Sequence, residues 1–264
     1  MSIPTGISVP GAELVLNAPS LAPHPEATIV VNCAGRTRSI IGAQSLINAG
    51  LPNRVVALRN GAIGWTLAGQ ALDTGAARRG DAAAADEASR DAARPRARDV
   101  AYRAGVRRIG PEELRQIAAD AKRTLYCFDV RQKAAFEAGH IPGFAHAEGG
   151  QLVQETDHYA PVRGARIVLS DDLGPRADMS ASWLAQMGWE VYVLGGGFSG
   201  GARVALRVAI AYPDVFRGAL LDGGSDIGSV LVPLPDRALL RQAQNHLRMV
   251  WLDGSVDETR ASAR

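Results

Sequence analysis

The chain has 264 residues, of which 47% are hydrophobic, and its 29 basic and 27 acidic side chains leave a formal net charge of +2. This length and apolar content suffice to bury a core in one large domain or in two to three small ones. Because basic and acidic residues are interleaved, no single-sign field argues for nucleic acid or a membrane surface as a partner. We expect a soluble protein of a reducing cytoplasm, since the sequence has two cysteines, no signal-peptide pattern at its start and no apolar run of the roughly 20 residues that a membrane span needs.

Residues 1–75 are predicted to form a strand–helix–strand unit. An extended lead with several Pro and Gly residues precedes the strand ATIVVN, a helix over about 39–49 and the short strand RVVALRNG. This order favours a parallel sheet. Residues 76–105 are rich in Ala, Arg and Asp, and we interpret them as a linker with a polar helix that Pro95 interrupts.

Strand and helix patterns alternate again over residues 106–194. Gly110-Pro111 followed by two glutamates indicates the start of a helix. Apolar runs then predict strands in TLYCFDVR, ARIVLSDD and WEVYVL, with a short helix over about 134–138, the turn GHIPGF and a helix in ADMSASWLAQMG. Residues 195–264 form a third piece, in which a Gly-rich turn precedes a polar helix from about Pro235 and the strand LRMVWLDG.

Cys33 stands between a β-branched strand and a predicted helix. The unpaired N–H groups at the start of that helix, the flexible Gly35 and the guanidinium groups of Arg36 and Arg38 would surround its sulfur with positive potential. These effects lower the pKa of a thiol from its free value of about 8.5, so the pattern predicts a thiolate in an anion cradle. The alternative is that Cys33 is a small apolar residue at a strand end, which leaves the two arginines unexplained.

The stretch CAGRTRS, residues 33–39, with the helix after it and NAGLPNRVVALRNGAIGW, resembles the active-site loop of the rhodaneses. Rhodaneses are sulfurtransferases in which a cysteine takes up a sulfane sulfur as a persulfide, whereas the related phosphatases typically have a longer loop. The resemblance implies that Cys33 is the nucleophile. It also implies that the persulfide and its anionic donor are bound by the loop residues Ala34, Gly35, Arg36, Thr37 and Arg38.

Residues 106–194 resemble a whole domain of the same family. Asp129-Val130-Arg131 and the turn Gly139-His140-Ile141-Pro142-Gly143 match the front half of such a domain, and ARIVLSDDLGPRADMSASWLAQMGWEVYVL matches the back half. Asp171 stands where the cysteine would. A carboxylate cannot carry a persulfide and repels an anionic donor, so we expect this copy to be catalytically silent.

Two other side chains of reactive type, His140 and Cys127, are interpreted as structural. By the same resemblance His140 is a turn residue, and Cys127, inside the apolar strand LYCFDV, is interpreted as a core residue. The sequence also leaves open a disulfide relay between Cys33 and Cys127.

Residues 1–75 contain no DVR strand and no GHIPG turn, so the first unit resembles only the back half of a domain. Such a unit would expose a sheet edge and lack core area.

The third piece resembles a different family. Gly197-Phe198-Ser199-Gly200-Gly201, after a strand and before a helical stretch, fits the nucleophile elbow of an α/β-hydrolase. The resemblance implies Ser199 as nucleophile and Asp257 as a candidate acid. No histidine follows Asp257 in the sequence, and a serine without a base is a poor nucleophile, so a Gly-rich turn in a hydrolase-like fragment is the favoured interpretation.

The predicted fold is therefore α/β, with rhodanese-like parallel-sheet units and flanking helices, the first unit incomplete, followed by an α/β-hydrolase-like fragment. The expected function is transfer of sulfane sulfur through Cys33, from thiosulfate or a persulfide to cyanide or a thiol. No metal is expected, because cysteine and histidine never cluster at ligand spacing, and no organic cofactor is implied. The alternatives are a non-catalytic rhodanese-homology scaffold and a serine hydrolase that uses Ser199. The oligomeric state is left open.

Overall fold

The first unit has the strand–helix–strand order that we predicted. The structure is a computed structural model and describes residues 2–75, 78–80 and 87–196, together with the backbones of three strands between residues 218 and 251. The elements of the first unit are α1 (Leu14–Leu21), β1 (Ile29–Val31), α2 (Thr37–Asn48), β2 (Val55–Ala57) and α3 (Gly61–Leu67).

The lead before β1 is helical in part, and our prediction that it is extended was wrong. A 3-10 turn over Gly11–Glu13 runs directly into α1, which continues through Pro19. Val15 and Leu16 in this helix are buried, with exposed fractions of 2% and 0%. Burial of this apolar face against the rest of the chain stabilises the helix although proline is a poor helix former.

The segment predicted as a linker is a long helix, α4 (Glu87–Arg103), and Pro95 lies inside it without interrupting it. Ala93, Ala97 and Val100 are buried on one face of α4, whereas Pro95 is exposed on the opposite face. Proline in a helix interior costs about 3 kcal/mol. The buried alanine face, which packs against α1 and against a helix of the second unit, outweighs that cost.

The sheet of the first unit has two parallel strands. Ile29 lies opposite Val55 and Val31 lies opposite Ala57. Among the described residues, β1 and β2 pair with no other named strand. One face of this sheet packs into a cluster that includes Leu16 of α1 and side chains of α2 and α4.

The second unit is a complete layered domain. Its parallel sheet has five strands in the order β3-β7-β6-β4-β5, a crossover order typical of α/β folds. The elements in chain order are β3 (Arg107–Ile109), α5 (Pro111–Ala119), β4 (Leu125–Asp129), α6 (Lys133–Ala138), β5 (Ala145–His146), α7 (Gly149–Gln154), α8 (Thr156–Tyr159), β6 (Arg166–Ser170), α9 (Pro175–Gln186) and β7 (Glu190–Leu194).

Both faces of the five-stranded sheet are covered. On one face Leu169 and Val193 pack against Leu184 of α9 and Leu152 of α7. On the other face the strand residues contact side chains that precede β6 in the chain, and the members of this cluster are Ile109, Leu114, Ile141, Phe144, Val168, Tyr192 and Leu194. This burial of both faces is what a parallel sheet requires.

Polar contacts join the two units where their helices meet. The indole Nε1 of Trp183 in α9 donates to Ser45 Oγ of α2 over 2.8 Å. The Arg176 guanidinium donates to the carboxylate of Glu13, Nε to Oε1 at 2.9 Å, and both residues are buried. The lead segment is thereby attached to the start of α9.

The third region contributes an antiparallel sheet of β8 (Gly218–Asp222), β9 (Ser229–Pro233) and β10 (Arg248–Trp251), in the order β10-β8-β9. The strand that we predicted in LRMVWLDG corresponds to β10. The resemblance of this region to an α/β-hydrolase stays a prediction. None of the described helices is long and apolar enough to cross a membrane.

Replacing Leu169 by alanine tests the core of the second unit. Leu169 is fully buried, so Leu169→Ala should lower the free energy of unfolding by about 2–5 kcal/mol through lost burial and the cavity left behind. Leu67→Ala is the matched control, because Leu67 is 81% exposed, and its effect should stay within about 0.5 kcal/mol. Urea unfolding of both variants measures the difference, and equal effects would contradict this account of the core.

Candidate active site

Cys33 lies in a tight loop between β1 and α2. Its Sγ contacts the hydroxyl of Ser39 at 3.5 Å, and that hydroxyl in turn donates to the backbone carbonyl of Arg36 over 2.9 Å. Ser39 is buried, whereas Cys33 is half-buried and the side chains of Arg36 and Arg38 are exposed. The sulfur is therefore partly accessible to solvent.

The start of α3 orients the peptide groups of this loop. The N–H of Ala62 donates to the carbonyl of Cys33 at 2.8 Å, and the N–H of Ile63 donates to the carbonyl of Ala34 at 3.0 Å. In a planar trans peptide the N–H points opposite to the carbonyl. Because these two carbonyls face α3, the N–H groups of the same peptides, on Ala34 and Gly35, face away from α3, and the N–H of Gly35 interacts with the sulfur of Cys33.

Gly61 makes this close approach possible. Its backbone has a φ of +55°, in the left-handed region that glycine adopts without strain. A Cβ atom at this position would collide with the carbonyl oxygen of Cys33 and lie 2.5 Å from that of Gly35. Only glycine therefore lets the start of α3 dock on the loop.

The environment lowers the pKa of Cys33. Partial burial acts in the opposite direction and raises the pKa of this thiol. The hydroxyl and N–H of Ser39, the N–H of Gly35 and the positive charge of Arg38 together exceed that effect, so the net pKa lies below the ordinary value. The loop amides and Arg38 were expected from the sequence. The hydroxyl of Ser39 was missed.

The second unit holds a carboxylate at the corresponding place. The Oδ1 of Asp171 accepts hydrogen bonds from the N–H groups of Leu173 at 2.5 Å and Gly174 at 2.9 Å, and its Oδ2 accepts one from Ala177 at 3.0 Å. Three backbone donors thus converge on an anion that belongs to the chain itself. An external anion has no place in this cradle while the carboxylate fills it.

Burial raises the pKa of Asp171 to about 6, although the nearby Arg176 favours the ionised form. The guanidinium of Arg176 lies 3.6 Å from Asp171 and 2.8 Å from Asp172. At neutral pH the group is therefore mainly ionised. Its charge would repel an anionic sulfur donor, and the catalytic silence of this copy stays a prediction.

The other motif residues of the second unit have structural roles in the described contacts. The Arg131 guanidinium is paired with Asp129 through Nε at 2.9 Å and Nη2 at 2.6 Å, and Nη2 also donates to the carbonyl of Gly139. His140 stacks on Phe136 with ring centroids 3.8 Å apart. The DVR strand end and the GHIPG turn are thus joined to each other and contribute no reactive group.

The remaining candidate residues from the sequence are Cys127, Ser199 and Asp257. Burial raises the pKa of Cys127 to about 12, and its side chain packs against the sheet core. Both cysteines are free thiols. Ser199 and Asp257 lie outside the residues that the structure describes. In the described part of the chain, no group of three or more His, Cys, Asp or Glu side chains is arranged to hold a metal ion.

Substitution of Gly61 tests whether α3 sets the properties of the thiol. Gly61→Ala should push the loop away from α3 and raise the pKa of Cys33 toward its ordinary value, measured as the midpoint of the pH dependence of alkylation by iodoacetamide. The control is Gly69→Ala, which introduces a side chain at a φ of +77° where no atom lies within 4 Å. An unchanged midpoint in folded Gly61→Ala protein would contradict the assigned role of α3.

A pH dependence of stability follows from the buried carboxylate of Asp171. Its pKa is about 6 in the folded state and about 3.9 in an unfolded chain, so the folded state binds more protons between these values. The free energy of unfolding contributed by this group is therefore greatest below about pH 4 and falls as the pH rises through about 6.

Urea unfolding across this range should show a smaller fall for Asp171→Asn than for the unsubstituted chain. Asp157→Asn, at an exposed position, should retain the original slope. If Asp171→Asn also retained that slope, the carboxylate would not be held in the buried state described above.

Comparison with known proteins agrees with this architecture. The family model for the rhodanese-like domain matches residues 110–203. The chain is similar to a thiosulfate sulfurtransferase from Pseudomonas aeruginosa, with 62% identity and a TM-score of 0.72 over 74% of this chain. The match spans 37% of the length of that protein.

Two further solved structures are more distant. A protein from Bacillus halodurans is 21% identical with a TM-score of 0.31, covering 35% of this chain and 68% of that one. SseA from Escherichia coli, a 3-mercaptopyruvate sulfotransferase, is 18% identical with a TM-score of 0.31, covering 66% of this chain and 68% of that one. The search of curated proteins gives no match. Residues 110–203 are thus a rhodanese-like domain, in a chain that is similar to part of the Pseudomonas thiosulfate sulfurtransferase.

Proposed function

We propose that the chain is a sulfurtransferase and that Cys33 carries the transferred sulfur. The observation that supports this most strongly is the thiol itself, which has a lowered pKa in a loop with backbone N–H donors at its sulfur. The 62% identical protein from Pseudomonas aeruginosa is a thiosulfate sulfurtransferase, which favours thiosulfate as one donor. A persulfide is the alternative donor.

In the first step the Cys33 thiolate attacks the sulfane sulfur of thiosulfate. A bond forms between Sγ and that sulfur, the sulfur–sulfur bond of the donor breaks, and sulfite leaves with the electron pair. The terminal sulfur of the resulting persulfide bears the negative charge. The N–H groups of Gly35 and Ser39 are suited to stabilise this charge, because preorganised donors act strongly where charge develops.

In the second step an acceptor removes the sulfur. Cyanide or a thiolate attacks the outer sulfur, the persulfide bond breaks, and Cys33 returns as a thiolate while thiocyanate or a new persulfide leaves. Two half-reactions through one covalent intermediate give ping-pong kinetics. Neither half-reaction requires a metal or an organic cofactor.

The loop residues have distinct proposed roles in these steps. Arg36 and Arg38 are exposed in the loop, the charge of Arg38 acts on the thiol, and we propose that both bind the oxygens of the donor through charge-assisted hydrogen bonds. Ala34, Gly35 and Thr37 contribute backbone to the cradle.

The second unit, whose cradle is filled by Asp171, is proposed to be a non-catalytic copy of the same fold, which makes the chain a partial repeat. We assign the chain to a reducing cytoplasm, where Cys33 would stay a free thiol between turnovers.

Intact mass spectrometry after addition of thiosulfate and then of cyanide tests the proposal. The unsubstituted chain should gain one sulfur atom and lose it to cyanide with release of thiocyanate. Cys33→Ser should gain none, and Cys127→Ser, which removes the other thiol, should behave like the unsubstituted chain.

Two outcomes would contradict the proposal. Sulfur uptake by Cys33→Ser would assign the chemistry to another residue. If the folded chain takes up no sulfur from thiosulfate or from a persulfide, the scaffold function becomes the better account, and a circular dichroism melt establishes that the protein is folded.

A further inference from the structure

The sheet of the first unit has one packed face and one bare face. Ile29, Val31, Val55 and Ala57 point to the packed face and join the cluster formed with α1, α2 and α4. Successive strand residues point to opposite sides, so Val30, Val56 and Leu58 point to the other side. We call these three residues the bare face. Val30 is 52% exposed, and Val56 and Leu58 are half-buried.

In the second unit the corresponding face of the sheet is covered by other residues. Its strands β6 and β7 pair in parallel, with Val168 opposite Tyr192, as Val30 lies opposite Val56 in the first unit. In each unit the first strand of this pair, β1 or β6, ends within two residues of the cradle residue, which is Cys33 after β1 and Asp171 after β6. Val168 therefore corresponds to Val30, and Val168 is 0% exposed.

The residues that cover Val168 all come from the segment before β6. They are Ile109 at the end of β3, Leu114 of α5, and Ile141 and Phe144 of the turn before β5. Tyr192 and Leu194 lie in the same cluster, and these two correspond to Val56 and Leu58. A parallel sheet is normally covered on both faces. Among the residues that the structure describes, no segment covers the sheet of the first unit as residues 106–147 cover that of the second.

The β1 edge of the first sheet is also unpaired among the described strands. In the second unit β6 pairs with β7 on one side and with β4 on the other, where Leu125–Asp129 lies alongside Arg166–Ser170. Within the described strands, β1 pairs with β2 alone. An unpaired edge beside an apolar face is a template for an added strand.

We propose that the bare face and the open edge of β1 form an interaction surface for a rhodanese-type front half on another polypeptide. The partner presents a strand that runs parallel to β1, together with a helix and a turn whose apolar side chains cover Val30, Val56 and Leu58. Because β1 ends two residues before Cys33, this partner would border the sulfur site. The inference concerns binding and does not depend on sulfur transfer.

The probe for this surface is a peptide of residues 106–147 of this chain, added to the full-length protein. Hydrogen exchange should show new protection of the β1 amides, and the peptide should bind saturably. Val30→Asp should weaken binding at least tenfold, because a carboxylate would be buried beneath the docked segment. Val30 is already half in contact with water, so this variant should fold, as its thermal melt would show.

The control variant is Met187→Asp, since Met187 in the second unit is 51% exposed and matches Val30 in accessibility. It should bind the peptide like the unsubstituted chain. A peptide that carries Ile141→Asp should bind less well to every form.

Three outcomes would overturn the proposal. The first is equal binding by Val30→Asp, and the second is protection that appears at β6 in place of β1. The third is a dimer of the full-length chain that Val30→Asp dissociates and the peptide does not, which would assign the surface to a second copy of this chain.

Discussion

The properties of Cys33 depend on two hydrogen bonds that do not involve its side chain. The N–H groups of Ala62 and Ile63 bind the carbonyls of Cys33 and Ala34. The N–H groups of the same two peptides therefore point away from α3, and that of Gly35 interacts with the sulfur. The helix that follows β2 therefore determines what the loop after β1 can bind. The collision that a Cβ at Gly61 would cause shows how closely these two elements approach.

Loops with backbone N–H donors follow β1 and β6, and a different side chain lies among the donors in each. In the first unit a half-buried thiol lies among the donors, and its pKa is lowered. In the second unit the Asp171 carboxylate accepts three N–H hydrogen bonds and fills the cradle. A loop with backbone N–H donors thus follows each of the two strands, around the thiol of Cys33 in one unit and around the carboxylate of Asp171 in the other.

The first unit is stabilised by its contacts with the rest of the chain. Its packed face shares a cluster with α4, which also lies against α9 of the second unit. The buried pair of Glu13 and Arg176 and the hydrogen bond from Trp183 to Ser45 add directional contacts between the units. Because the cost of desolvating two charges offsets the attraction within a buried ion pair, we regard the apolar cluster as the main source of cohesion.

Local patterns predicted the second unit well and the first unit in part. The strands β4, β6 and β7 are apolar runs bounded by turns, and Cys33 stands at a strand-to-helix junction that is visible in the sequence. The continuity of α4 through Pro95 was not predictable, because it results from burial of Ala93 and Ala97 against distant helices. The role of Gly61 was also hidden, since its contact with Cys33 joins residues 28 positions apart, from 33 to 61, through tertiary packing.

The central claim is that the loop after β1 is an anion cradle that holds a sulfur on Cys33. A crystal structure of the chain after treatment with thiosulfate tests it most directly. We predict one additional sulfur atom bonded to Cys33 Sγ, within hydrogen-bonding distance of the N–H groups of Gly35 and Ser39, and an unaltered Asp171 cradle. An unmodified Cys33, or an added sulfur that points away from these N–H groups, would contradict the account.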